Sequence, residues 1–233
     1  MSFRPRQLAL ALDHVESYAR EDFLSGPCNE GPLQLVDSWP DWPANAVALV
    51  GPEGSGKTHL AMIWAGTAGA RVTTARSVSE AELPSALATG ALVVEDAASG
   101  ADDRALFHLI NLAREEKASL LFTARTSPAT WMTAIPDLAS RLRALPVATL
   151  QAPDDAMLRA VIVKLAGDRQ LSLDETVVSY LSTRIERSFA AARAAVIALD
   201  NEALRQRRPA TRALAAELFR AQPAASPEGR VLR

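Results

Sequence analysis

Cysteine is almost missing from this 233-residue chain: Cys28 is the only one. An intramolecular disulfide is thereby excluded, as is a zinc site built on several thiolates, and the chain reads as cytoplasmic. Lysine is nearly as scarce. Of the 25 basic residues only Lys57, Lys117 and Lys164 are lysines, so the position of each is informative. Neither sign of charge dominates, with 27 acidic residues, a formal net charge of -2 and a pI of about 6.0. A global basic field for nucleic acid is therefore absent, which leaves room only for a local patch. No apolar run approaches the ~20 residues of a membrane span. The short apolar stretch near the N-terminus soon meets Asp13, His14 and Glu16, with no small-residue cleavage site, which argues against a secretory signal. What remains is an ordinary soluble composition, 48% apolar and 22% charged, on a chain long enough for one sizeable core or two small ones.

Four zones follow. Residues 1–18 are a short N-terminal segment, 19–151 an α/β region, 152–220 a helical region, and 221–233 an Ala/Pro/Ser/Gly-rich tail that reads as disordered. In the second zone, short apolar runs at 46–50, 91–94, 119–123 and 147–150 have the length of buried parallel strands. Helical patterns lie between them, at 58–68, 79–87, 102–116 and 137–142. Such alternation predicts an α/β fold, a parallel sheet covered on both faces. The third zone fits four helices, at 154–165, 173–185, 188–205 and 210–219, with Asp154 and Asp174 at N-cap or first-turn positions. It reads as a small helical lid domain.

Residues 51–58, G-P-E-G-S-G-K-T, match the phosphate-loop pattern G-x-x-x-x-G-K-[ST] in full. Gly51, Gly54 and Gly56 let the backbone of the loop, with Pro52, Glu53 and Ser55 between them, curl so that successive N–H groups face an anion. Lys57 would reach the β- and γ-phosphates of a nucleotide, and Thr58 would offer its hydroxyl to Mg²⁺. The helix that opens here points its positive end at the same place. Chance produces this pattern in about 1% of chains of this length. The flanking strand and helix, and the rarity of lysine, make an accidental match rarer still. The strand at 91–94 then runs into Glu95 and Asp96. One carboxylate near a metal and one to orient water are what phosphoryl transfer requires, and spacing gives Glu95 the metal side and Asp96 the water side. Two acids also open many solvated loops.

The order of phosphate loop, acidic strand, polar strand end, S-R-L and helical lid resembles the AAA+ ATPases. Within them it resembles the bacterial replication initiator DnaA and its relative Hda, over roughly residues 7–220. Residues 22–29, D-F-L-S-G-P-C-N, look like the segment that lies beside the adenine, which implies nucleotide contacts for Phe23 and Leu24. G-K-T-H-L is the family's form of the loop and adds His59. D-L-A-S-R-L at 137–142 resembles the arginine-finger motif, and I-E-R-S-F at 185–189 falls where the lid carries its nucleotide-sensing arginine. The resemblance thus implies an ADP or ATP site with Mg²⁺. It makes Thr123 the polar sensor, Arg187 a phosphate contact, and Arg141 a finger acting in trans on a neighbour's nucleotide. Such fingers are worth about 10³–10⁵ in rate. Two departures stand out. Glu95 occupies a position usually held by Asp, and Arg125 occupies one where the initiator has an acid. Both favour a nucleotide-binding regulator with weak turnover over a fast ATPase.

Residues 7–12, Q-L-A-L-A-L, resemble the short motif with which bacterial proteins dock on the DNA polymerase sliding clamp, its β subunit. Gln7 would enter a polar pocket, and Leu8, Leu10 and Leu12 would be apolar anchors. The same leucines could instead join a core as a first strand or helix. The last 13 residues of this chain are too few for an origin-binding helix-turn-helix domain. Three readings follow. The first is an Hda-like regulator that docks on the clamp and stimulates ATP hydrolysis by DnaA, with a homo-oligomer possible and direct DNA contact at most weak. The second is an AAA+ ATPase acting on DNA or loading a helicase, for which Arg205, Arg207, Arg208 and Arg212 are the one local basic patch. The third is a plain P-loop nucleotide-binding module.

Overall fold

The structure, a computed structural model, describes residues 18–220. The proposed clamp motif at 7–12 and the tail at 221–233 lie outside the described residues. Five strands are found: β1 (Ala46–Val50), β2 (Arg71–Thr74), β3 (Ala91–Glu95), β4 (Ser119–Ala124) and β5 (Val147–Thr149). They form one parallel sheet in the order β2-β3-β4-β1-β5. The four apolar runs of the sequence are the four strands β1, β3, β4 and β5. β2 has no apolar run, only R-V-T-T, because it sits at the sheet edge with three of its four residues exposed. A strand that buries little needs no continuous hydrophobicity.

Successive side chains along a strand face opposite ways, which builds two apolar layers. On one face Val47, Leu49, Val93 and Leu121 pack with Leu33 and Val36 of α1 (Glu30–Asp37) and with Leu60, Ile63 and Trp64 of α2 (Lys57–Ala68). Trp42 stacks on Trp64 at 4.9 Å and Trp39 meets it edge-on, a three-tryptophan seam under the sheet. On the other face Ala48, Val50, Leu92, Val94 and Phe122 pack with Leu83 of α3 (Leu83–Ala86), Leu109 of α4 (Asp103–Glu115), and Leu138 and Leu142 of α5 (Pro136–Ala144). The expected single helix over 79–87 is instead a 3-10 turn, Glu80–Glu82, followed by the short α3. Pro84 explains the break, since it has no N–H to donate backward and is tolerated only in a first helical turn.

Four further helices follow: α6 (Asp155–Asp168), α7 (Glu175–Arg184), α8 (Phe189–Gln206) and α9 (Arg212–Arg220). Contacts divide the chain into two compact units. Among the described residues, one holds Tyr18–Leu158 together with Arg187–Ala190, and the other holds Arg159–Glu186 and the chain from Ala191 onward. The second unit buries Ile162, Ala166, Val177, Leu181, Ala195, Val196, Leu199 and Leu214. Asp174 caps α7 by accepting the Val177 N–H at 2.9 Å, as its position in the sequence suggests. Among the described residues, no helix is long and apolar enough to cross a membrane.

Candidate functional site: a phosphate loop at the carboxyl ends of the strands

The chain leaves β1 at Val50 and enters α2 at Lys57, so the loop between them lies at the carboxyl end of an interior strand. There the strand order turns back on itself, the place where open α/β sheets bind ligands. Gly54 and Gly56 take φ of 70° and 95°, which aims backbone N–H groups inward. Gly51 is fixed by close packing: a Cβ there would lie 2.5 Å from the Leu150 carbonyl oxygen. Lys57 is buried, and its Nζ donates to the carbonyls of Gly51 at 2.9 Å and Pro52 at 2.7 Å. Burial, and after it the nearby Arg125 charge, pushes the Lys57 ammonium below its ordinary value; Asp96, Glu53 and Glu95 pull the other way. The Ser55 hydroxyl is buried with no hydrogen-bond partner, and the Thr58 hydroxyl opens α2 at the surface. Curled glycines, an orphaned hydroxyl, a buried ammonium and a helix N-terminus together fit a polyphosphate.

The neighbouring strand ends meet at this loop. Glu95 closes β3 and is half-buried, and Asp96 follows it exposed, in the left-handed region at φ 52°. Thr123 is buried in β4, opposite Leu49 of β1, and its hydroxyl accepts the Asp96 N–H at 3.2 Å. That bond ties the acidic turn to the strand beside the loop. One residue beyond β4, Arg125 reaches the loop itself and pairs with Glu53 at 2.7 Å.

Two more segments close on the loop. Phe23 is buried and packs beside Gly56, with its ring edge-on to His59 at 5.3 Å; Tyr18 also meets that imidazole edge-on, at 5.4 Å. Leu24 is half-buried, and its carbonyl accepts from the buried Asn29 amide, which holds the turn in shape. From the far side of the sequence, Phe189 donates its N–H to Gly54 O at 2.9 Å, and the Ser188 side chain covers Gly54. This holds Arg187 near the loop, where it pairs with Asp155 at 2.7 Å.

Arg141 stands elsewhere. It lies on α5, in the helix layer on the sheet face opposite α2. Its guanidinium sits over the Phe107 ring at 5.4 Å, and its buried Nε makes no hydrogen bond. Among the described residues it has no carboxylate partner. Asp155 and Phe107 carry no pattern that would single them out in the sequence, and Ser188 and Phe189 entered only as the neighbours of Arg187 in I-E-R-S-F. Each acts through a residue about thirty or more positions away, or through backbone.

No protein-family model matches the chain, and neither does any curated relative. Solved structures do match. Domain III of the Thermotoga maritima replication initiation protein DnaA is 20% identical with a TM-score of 0.73, over 88% of this chain and 98% of that one. AMPPCP-bound DnaA from Aquifex aeolicus is 18% identical with a TM-score of 0.64, over 77% and 64%. The RuvB Holliday junction branch migration motor of Thermotoga maritima is 14% identical with a TM-score of 0.69, over 88% and 72%. At these identities the shared property is the fold. A five-stranded parallel sheet flanked by helices, with a phosphate loop after the interior strand β1, gives this chain the fold that DnaA domain III and RuvB share.

Proposed function

We propose that the chain is a nucleotide-binding regulator of replication initiation, of the Hda type. It binds ADP or ATP at residues 51–58, docks on the sliding clamp through Gln7, Leu8, Leu10 and Leu12, and presents Arg141 to the ATP held by DnaA. The observation that carries this reading is the setting of Arg141. A guanidinium over an aromatic face, with no carboxylate partner among the described residues and on the sheet face opposite its own Lys57 helix, suits a nucleotide supplied by another molecule. The likeness to nucleotide-bound DnaA supports an adenine nucleotide as the ligand. A magnesium ion would take Thr58 and Glu95 as its protein ligands, directly or through water, and would offset phosphate charge. Glu95 and Asp96, with Thr123 behind them, form the chain's own hydrolytic set, and its turnover is slow.

The deciding assay is ATP hydrolysis by DnaA in the presence of clamp loaded on DNA, with and without this protein. Stimulation is expected to require the clamp and to be lost in Gln7→Ala and in Arg141→Ala, while Arg141→Ala still binds nucleotide. Full stimulation by Arg141→Ala would remove the finger assignment. Rapid turnover by this chain alone, with DNA affinity at low salt, would replace the regulator by a motor acting on DNA.

A further inference from the structure

The ion pair between Arg125 and Glu53 joins the end of β4 to the third residue of the phosphate loop. Its placement is fixed by backbone. Ala124 pairs with Val50 in the sheet, and its carbonyl accepts the Gly51 N–H at 3.2 Å, so Arg125 leaves the strand where the loop begins. Its partner is no neighbouring helix or surface strand; it is a residue of the loop that cradles the anion. Both side chains are largely exposed, 65% and 75%, and an ion pair so wet holds its members weakly. Arg125 also stands close enough to Lys57 for the two charges to oppose each other. Two cations face one loop, Arg125 paired with Glu53 and Lys57 within reach of Glu53, Glu95 and Asp96, and an incoming polyphosphate alters that balance.

We propose that Arg125 is a second phosphate-binding cation, and that Glu53 is its built-in competitor: polyphosphate displaces the Glu53 carboxylate and takes the Arg125 guanidinium. This rests on the reading of residues 51–58 as a nucleotide site, and it adds the residue pair that sets the affinity of that site. A guanidinium binds phosphate oxygens bidentately and carries more usable donors than Lys57, whose ammonium is already spent in part on Gly51 and Pro52. A polyphosphate outbids one carboxylate because it brings several charges to both cations at once. The loop is thereby held at reduced affinity until an anion of higher charge arrives.

The two members of the pair therefore have opposite effects. Arg125→Ala is expected to weaken ADP and ATP about three- to tenfold, and Glu53→Gln, which keeps the loop's shape, to tighten both about two- to fivefold. The double variant should behave like Arg125→Ala. Titration of the full-length protein with fluorescent ADP and ATP, and competition by inorganic tripolyphosphate, measure this; thermal melts of each variant report folding. If both single variants weaken binding and both lower the melting temperature, the pair is a strap that shapes the loop and the proposal fails. If neither changes affinity, the pair is a surface contact and the proposal fails. If the unaltered protein binds neither nucleotide nor tripolyphosphate, the nucleotide reading falls first and this inference with it. Binding by the unaltered protein separates the two failures.

Discussion

A methyl group at position 51 would lie 2.5 Å from the Leu150 carbonyl oxygen and 2.9 Å from Ser55 Oγ. The first of these is backbone and cannot turn aside. Gly51→Ala should therefore cost about 1–3 kcal/mol, by analogy with overpacking elsewhere, and displace the loop from its anion-binding shape. A fall in melting temperature together with loss of fluorescent-nucleotide binding is the expected pair of results. Melting and binding equal to those of the unaltered protein would show that the close approach is not a constraint. Position 54 differs, since its φ of 70° strains any L side chain and its space is filled by Ser188 and Ala190. At this scale the sequence is legible where one residue type does one thing at fixed spacing. Lys57 and Thr58 are such residues, and Arg125 stands out because its charge is opposite to the one expected. What cannot be read is the partner of each: Asp155 for Arg187, Phe107 for Arg141, Glu53 for Arg125. Tertiary packing alone joins them.

Among the elements, α7 shows how one side chain sets a boundary. Asp174 accepts the Thr176 hydroxyl and the Val177 N–H, and these bonds hold its carboxyl below the ordinary carboxylate value. A carboxylate favoured in the folded state adds stability that is present above its unfolded pKa and is lost as pH falls through the lower folded one. At the far end of α8, Glu202 behaves in the same way, drawn down to about 2 by Arg205 and Gln206. Asp174→Ala should lower the melting temperature at pH 7, and the gap from the unaltered protein should close well below pH 4. A gap that persists undiminished in acid would locate the effect in helix propensity and not in the charged cap. The caps were legible because Asp is both a good N-cap and a turn former. The edge strand β2 was not: R-V-T-T is equally at home in a loop, and only pairing with β3 makes it a strand.

At the scale of the whole molecule, a ligand that binds only the folded loop must stabilise the unit that holds it. Nucleotide at a hundred times its Kd adds about 2.7 kcal/mol. Differential scanning calorimetry with ADP and Mg²⁺ should therefore shift the unfolding transition upward, and Lys57→Ala should abolish the shift. An unmoved transition at saturating nucleotide would contradict a site at residues 51–58. The parallel sheet was legible as a whole because its buried strands are short continuous apolar runs separated by helical patterns. Composition and periodicity carry no trace of the short return of the chain to the phosphate loop; only the resemblance brings Arg187 there. Residues 187–190 belong with the α/β unit although helices of the other unit flank them in sequence.

That return has a consequence for how the molecule can be taken apart. Among the described residues the chain passes between its two units three times, after Leu158, after Glu186 and after Ala190. No single cut yields both pieces whole. A trimmed protein ending at Leu158 keeps every residue from Gly51 to Thr58, yet it loses the Phe189 N–H that satisfies Gly54 and the Ser188 side chain that covers it. Isolating the α/β unit is a task for splicing, with four distant residues sewn back on.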